Sequence, residues 1–420
     1  MPTLSLNASK KTKHTPAGEI PVDWAAVVLS DVIENLESGV SVSGEDRPAN
    51  DSESGVLKVS AVSKGRFFPN ENKAILPADL KRARMRPRIG AILVSRSNTP
   101  DLVGESARVP ADYPNLFLPD KLWQVCIRPE TQTDEGWLSY VLQFPDVRRL
   151  ISERASGTSK SMRNISKPSF LSIPIPLPPL PEQIRIAAIL STWDRAIETL
   201  ESLIAAKDRR KQALMQQLLT GRKRLPGFET PWSNVVFGDF LTESRLPGSH
   251  GAAARKLTVR LYGRGISEKN EARAGSSNTR YYTRRAGQFI YSKLDFLNGA
   301  FAIIPSHLDG LESTLDLPAF DIAPTVHPTW ILTYLTRPEF YENCVGFAAG
   351  GRKARRVNPN QFLSIRLKLP SLPEQTAIAS VLISADRELT LHRKHLTTLR
   401  TQKRGLMQKL LTGEIRTLAS

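Results

Sequence analysis

Two stretches of this chain place apolar residues at heptad spacing. From Leu180 onward, Leu190, Ile197, Ile204 and Leu218 fall at one seam position and Ile186, Trp193, Leu200 and Leu214 at the other. From Leu372 the pattern returns, with Leu382, Leu389, Leu396 and Leu410 opposite Ile378, Ala385, Leu399 and Leu406. Lys211 and Lys403 interrupt the two seams at the same place, and His392 interrupts the second, which weakens a helical pair but fixes its register. The punctuation agrees with the periodicity. Prolines at 178, 179 and 181 hold the approach extended, Pro181 suits a first helical turn, Glu182 puts negative charge at the positive helix end, and Gly221 and Gly413 supply the stops. About 40 residues at 1.5 Å rise give a helix of roughly 60 Å.

Ahead of each long helix the period shortens. VVLSDVI, GVLKVSAV, GAILVSR and LWQVCIRP in the first half, and NVVFGDF, KLTVRLY, QFIYSKL and GAFAIIP in the second, are β-rich runs broken by Gly, Pro and Asn. One further helix is predicted near the end of each half, after Trp137 and after Trp330.

The two halves are copies. Shifting the chain by about 192 residues aligns Leu180-Pro181-Glu182-Gln183 with Leu372-Pro373-Glu374-Gln375, Asp194-Arg195 with Asp386-Arg387, and Leu218 to Gly221 with Leu410 to Gly413. Upstream, Trp137 pairs with Trp330, Gly157-Thr158-Ser159-Lys160 with Gly350-Gly351-Arg352-Lys353, and Phe170-Leu171-Ser172-Ile173 with Phe362-Leu363-Ser364-Ile365, while WAAVVLSDVI echoes WSNVVFGDFL. The expected organisation is a flexible basic tail (1–15), a mixed α/β domain (16–175), a long helix (176–224), a second mixed α/β domain (225–367) and a second long helix (368–417). If the second domain is compact its termini are close, so the helices run antiparallel when they pack, with an approximate two-fold axis across their middle. The expected fold class is therefore α+β, two pseudo-symmetric domains joined by a coiled coil. The competing arrangement leaves each amphipathic helix on its own domain.

Composition narrows the function. Of 420 residues, 58 are Lys or Arg and 41 Asp or Glu, a net charge of +17 that favours polyanions and puts nucleic acid first among partners. Cys126 and Cys344 lie far apart with no neighbouring ligands at metal spacing, which points to free thiols in a reducing compartment, by default the cytoplasm. The N-terminal segment lacks the apolar region of a signal peptide, and no run approaches a membrane span, so a soluble protein is expected.

The basic residues cluster at Lys81–Arg88, at Lys160 with Arg163, from Arg264 through Arg273, Arg280, Arg284 and Arg285, and at Arg352–Arg356. Recurrence at the glycine-rich loop, Lys160 with Lys353 and Arg163 with Arg356, points to a shared phosphate contact. Base-edge reading is expected from Arg96, Ser97, Asn98, Tyr262, Tyr281, Tyr282, Tyr291 and Lys293. The search for catalysis is negative: there is no P-loop, HExxH, GxSxG or CxxC, and no metal site is nominated. Asn358-Pro359-Asn360-Gln361-Phe362 lacks the second proline of an amino-methyltransferase box and reads as a turn, and Gly263-Arg264-Gly265 is too weak for a nucleotide site.

The proline-rich approach, LPEQ at each helix start, and long helices closing in LMQQLLTG and LMQKLLTG behind strand-rich domains resemble the specificity subunit of type I restriction–modification systems. GAILVSRSNTPDLVGESA and GQFIYSKLDFLNGAFAIIP are similar to its target-recognition domains. The resemblance implies a non-catalytic subunit that reads a bipartite DNA target with two domains and docks two methyltransferase subunits, with restriction subunits joining afterward. It also implies that S-adenosylmethionine, ATP and magnesium are used on the partners, none being bound by this subunit. Alternatives from the residues alone are a specificity subunit serving a lone or fused methyltransferase, a self-sufficient nuclease or DNA-binding regulator, and a coiled-coil scaffold.

Overall fold

The Leu-Pro-Glu-Gln motif opens two helices, Leu180–Leu218 and Leu372–Leu411, and in both copies its Glu and Gln are buried. The computed structural model describes residues 11–159, 162–269, 279–350 and 355–417. The chain folds as two units: the first takes in residues up to Leu200 together with the segment from His395 onward, the second Glu201–Lys394. Each unit therefore owns the start of one long helix and the end of the other.

In the first unit the Glu182 carboxylate accepts from Trp24 Nε1 at 3.0 Å, from Arg416 Nε at 2.9 Å and Nη2 at 2.8 Å, and from the Thr417 amide at 3.1 Å. Arg416 also forks onto Asp23, and these two carboxylates hold its guanidinium above its ordinary pKa, while the Arg416 hydrogen bond holds Asp23 below the usual range. The second unit repeats the arrangement. Glu374 accepts from Trp232 Nε1 at 3.0 Å and from both Nε and Nη2 of Arg224. Arg224 and Arg416 each lie three residues beyond the helix-ending glycine, Gly221 or Gly413. Both glycines have left-handed backbone, at φ 71° and 72°, and a β-carbon on Gly413 would stand 2.4 Å from Pro21.

The neighbouring glutamines act as backbone clamps. Gln183 accepts from the Asp134 amide and donates to Pro178 O and Gln132 O; Gln375 accepts from the His327 amide and donates to Pro370 O and Thr325 O. Asp134 and His327 cap the helices Glu135–Gln143 and Pro328–Leu335, so one side chain ties the start of each long helix to the start of the shorter one.

Within each unit the two helical segments run antiparallel. In the first, Ile186 and Leu190 share a core with Leu406, Met407 and Leu410, and Lys403 reaches Asp194, which also accepts from Tyr140 Oη. In the second, Leu214 and Leu218 pack with Ile378 and Leu382, Lys211 pairs with Asp386, Lys207 with Glu388, and Arg393 with Asp208. The seam-breaking lysines Lys211 and Lys403 thus meet aspartates at equivalent positions, a register device that apolar packing alone would not supply. Of the heptad residues, Leu190, Ile197, Leu218, Leu382, Leu389 and Leu410 are buried, and Ile204 and Leu396 are half-buried.

One four-stranded antiparallel sheet in each unit has the same strand order. In the first unit the order is Ser106–Arg108, Ile92–Ser95, Leu122–Ile127, Ile33–Ser38, all antiparallel. In the second it is Phe301–Ile303, Phe289–Tyr291, Ala319–Ile322, Leu241–Ser244, again antiparallel. A two-stranded ribbon feeds each long helix: Pro174–Leu177 pairs with Ala25–Val28, and Arg366–Leu369 with Ser233–Val236.

Local expectations shift in three places. VVLSDVI is not one strand, because Asp31 accepts from the Val28 amide and starts a helical turn, Leu29–Val32, between two strands. The end of the expected basic tail is ordered: Thr12–Thr15 pairs with Gly18–Pro21, and Thr15 Oγ1 donates to Gly18 O across the turn. Asn358-Pro359 is a helix start rather than a turn, with Gln361 Oε1 accepting from the Asn358 amide.

Because Glu182 is about 2 % exposed, removing its guanidinium leaves a buried charge. Arg416→Ala is expected to destabilise the first unit by about 3 kcal/mol. Arg149→Ala, which removes surface pairs to Asp146 and Glu153, is expected to have little effect. Denaturant-dependent hydrogen exchange on the amides around Trp24 checks both; equal losses from the two variants would contradict the buried-carboxylate account.

Candidate nucleic-acid interface

Alternation places the first basic cluster at the surface. Between Ala83 and Ile89 the chain is extended, Pro87 faces inward, and Arg84, Arg86 and Arg88 point outward together. Met85 O accepts from the Leu118 amide and the Arg88 amide donates to Gln124 Oε1, which fixes the segment against the sheet. Arg86 lies over the Phe117 ring at 5.2 Å, and Arg88 reaches Glu37 at 3.6 Å and Cys126 Sγ at 3.2 Å. Together with Phe117, Gln124 and Glu37 these arginines line an open concavity.

A second element forms where the sheet's second strand leaves the core. The Arg96 amide donates to Lys121 O, and Arg96 O accepts from Ile165. Asn98 stands opposite Arg163 in the short ladder Ser97–Asn98 with Met162–Asn164, and Arg163 Nη1 donates to Ser152 O at 3.2 Å. The structure thus brings Arg96, Asn98 and Arg163 to one edge; Arg96 Nε is enclosed with no hydrogen-bond partner among the described residues. Ser97 is buried in this ladder, opposite Asn164, and is a structural residue rather than a base reader. Lys160 lies outside the described residues.

The same backbone pattern recurs in the second unit. The Lys293 amide donates to Asp316 O, and Lys293 O accepts from Val357, so Lys293 occupies the position of Arg96. That equivalence corrects two sequence expectations. Tyr291 corresponds to Val94 in the central strand: it is wholly buried, its hydroxyl donates to Val357 O at 3.1 Å, it stacks on Phe320, and burial raises its pKa. It builds the core and cannot reach a base. The pairing of Arg163 with Arg356 is off by one: Arg356 bridges Ala349 as Asn164 pairs with Ser156, which makes Arg355 the counterpart of Arg163. Arg356 is exposed and stands 3.8 Å from Asp316. Arg352 and Lys353 lie outside the described residues.

Burial sorts the remaining candidates. Arg284 is enclosed, donating to Ser313 Oγ, Ser244 O and Leu317 O, and burial brings its pKa down to about 10, so it belongs to the fold. Tyr281 is buried, whereas Tyr262, Arg264 and Arg280 are exposed. Arg273 lies outside the described residues. Cys344 donates to Phe340 O and burial pushes its thiol up to about 11; burial likewise raises Cys126. Among the described residues no group of three His, Cys, Asp or Glu gathers in one place, and no helix is long and apolar enough to cross a membrane.

Sequence reasoning missed the roles of Glu182, Glu374, Arg224 and Arg416. The signal was there: an arginine recurs three residues after each Leu-Leu-Thr-Gly, at the same shift as the motif glutamates.

Comparison with known proteins agrees with this architecture. Residues 125–206 match the family described as type I restriction modification DNA specificity domain. The putative type I restriction enzyme MjaX specificity subunit of Methanocaldococcus jannaschii is 24% identical, over 98% of this chain and 98% of its own. A crystal structure of a type I restriction–modification system S subunit from M. genitalium superposes with a TM-score of 0.58 at 15% identity, covering 97% of this chain and 99% of that one. A chain from a structural study of type I R-M complex assembly gives 0.58 at 18% identity, covering 94% and 99%. Duplicated sheets and paired long helices thus go with a similarity, over nearly the whole chain, to the specificity subunits of type I restriction–modification systems.

Proposed function

We propose that this chain reads a two-part DNA sequence, one part with each unit, and holds two methyltransferase subunits beside it. The observation that carries the reading is the duplication: two sheets of identical strand order, each presenting a basic residue, Arg96 or Lys293, at the same exit from the central strand. A net charge of +17 supports phosphate contact along an extended duplex. Arg84, Arg86, Arg88, Arg96, Asn98 and Arg163 are the candidate contacts of the first domain, and Lys293, Arg355 and Arg356 those of the second; the two sets differ, as reading unlike half-sites requires.

The functional division follows the repeat. Residues 16–175 and 225–367 serve as target-recognition domains, and residues 176–224 and 368–417 as spacer and docking surface. Two readers on one face of a duplex need a separation near one helical turn, ~34–36 Å, which helices of about 60 Å can set. The subunit supplies no catalytic group. Methyl transfer from S-adenosylmethionine belongs to the methyltransferase partners, and ATP- and magnesium-dependent cleavage to restriction subunits, with the whole assembly in the cytoplasm.

The first test exchanges residues up to Pro176 for the equivalent segment of another specificity subunit. Methylation mapping is expected to show one half of the target changed and the other retained; changes in both halves would contradict independent reading. The second test inserts one heptad in each long helix at equivalent positions. Adding about 10 Å is expected to lengthen the unread spacer by roughly three base pairs with both half-sites intact. An unchanged spacer would discard the ruler.

A further inference from the structure

Among the described residues, two carry a side chain at clearly positive φ, Lys64 at 51° and Tyr262 at 57°, and they occupy the same place in the two units. Each is followed by a left-handed glycine and an arginine: Lys64-Gly65-Arg66 and Tyr262-Gly263-Arg264. Each sits in a hairpin turn, between Val62–Ser63 and Arg66–Phe67 in one unit and between Leu257–Val259 and Ile266–Glu268 in the other. Each glycine presses on the end of the equivalent short helix. A β-carbon on Gly65 would stand 2.1 Å from Gln143 Oε1, and one on Gly263 2.7 Å from Thr336 Cγ2. Both turns are also pinned at the backbone amide, Lys64 by the Glu105 carboxylate and Tyr262 by Asn298 O, and both partners belong to the segment leading into the equivalent edge strand.

A residue with a β-carbon in left-handed backbone is held there against its own preference, and such conformations concentrate at functional sites. These turns gain nothing in core packing from the residue itself. Lys64 is exposed and Tyr262 is 57% exposed. Arg66 stands 3.4 Å from Glu198, which leaves Lys64 as the outer charge of the first turn. In the second, the exposed Arg264 lies over the Tyr262 ring at 5.8 Å, with Arg260 two residues before the tyrosine. Each unit therefore extends a rigid, cationic turn from the same point of its fold.

We propose that these two turns are equivalent DNA-contact points, Lys64 of the first unit and Arg264 of the second each neutralising a backbone phosphate in its half of the target. The inference rests on the DNA-reading role proposed above and assigns new residues to it. The difference between Lys64 and Tyr262 gives the two turns unlike tips, charged in one and aromatic in the other.

The test uses the full chain assembled with its methyltransferase partner and a duplex carrying the motif it directs to be methylated, with affinity measured across a salt series. Lys64→Gly suits the positive φ and removes the charge, Lys64→Arg keeps it, and Arg264→Ala removes it from the second turn. Lys64→Gly and Arg264→Ala are each expected to reduce the steepness of log K against log salt by about 0.9 and to weaken binding several-fold, while Lys64→Arg stays near the parent. A steep parental slope left unchanged by either charge-removing variant overturns the inference. So does loss of the copurifying methyltransferase without a change in slope, which would make the turn a protein contact. A parent with no steep slope and no preference for the motif would instead remove the DNA-reading role itself.

Discussion

A carboxylate taken out of water must find a cation, and in this fold it finds one on a distant part of the chain. Glu182 and Glu374 are buried at the starts of the two long helices, and their guanidinium partners, Arg416 and Arg224, follow the ends of the opposite ones. Satisfying both charges forces the helix start of one repeat against the helix end of the other. Antiparallel pairing, the ordering of the C-terminal segment against Trp24, and the construction of the first unit from two separated stretches of chain all follow from that requirement.

The same requirement separates what is constant from what varies. Trp24 and Trp232, the Gln183 and Gln375 clamps, and the strand order of the four-stranded antiparallel sheet recur in both units, because each answers a packing or hydrogen-bonding need that does not depend on the target. The differences gather at the strand exits and hairpin tips. Arg96 corresponds to Lys293, Arg163 to Arg355, and Lys64 to Tyr262, on backbones pinned in the same way. A scaffold that holds unlike side chains at matched positions is suited to reading two different half-sites with one mode of approach.

Much of this was legible in the sequence because it is periodic or repeated. Heptads marked both long helices, prolines and glycines marked their ends, and the shift of about 192 residues exposed the duplication. What escaped depends on three-dimensional partnership. Glu182 looked like a helix-dipole charge, since a buried ion pair to a residue more than two hundred positions away leaves no local trace. Tyr291 looked like a reader because tyrosine suits both cores and interfaces; its alignment with Val94 on a central strand would have placed it inside. Arg284 belonged to an apparent basic run, yet its neighbours' carbonyls enclose it. Charge clusters written along the sequence do not say which members face solvent.

The central claim is that twin modules joined by paired helices direct methylation to a split sequence. Genome-wide methylation mapping of the cell that encodes this chain, with the gene present and then deleted, addresses it most directly. The account predicts loss of one motif made of two unlike specific parts separated by a fixed run of unread bases. Loss of a short continuous motif, or no loss at all, would contradict it.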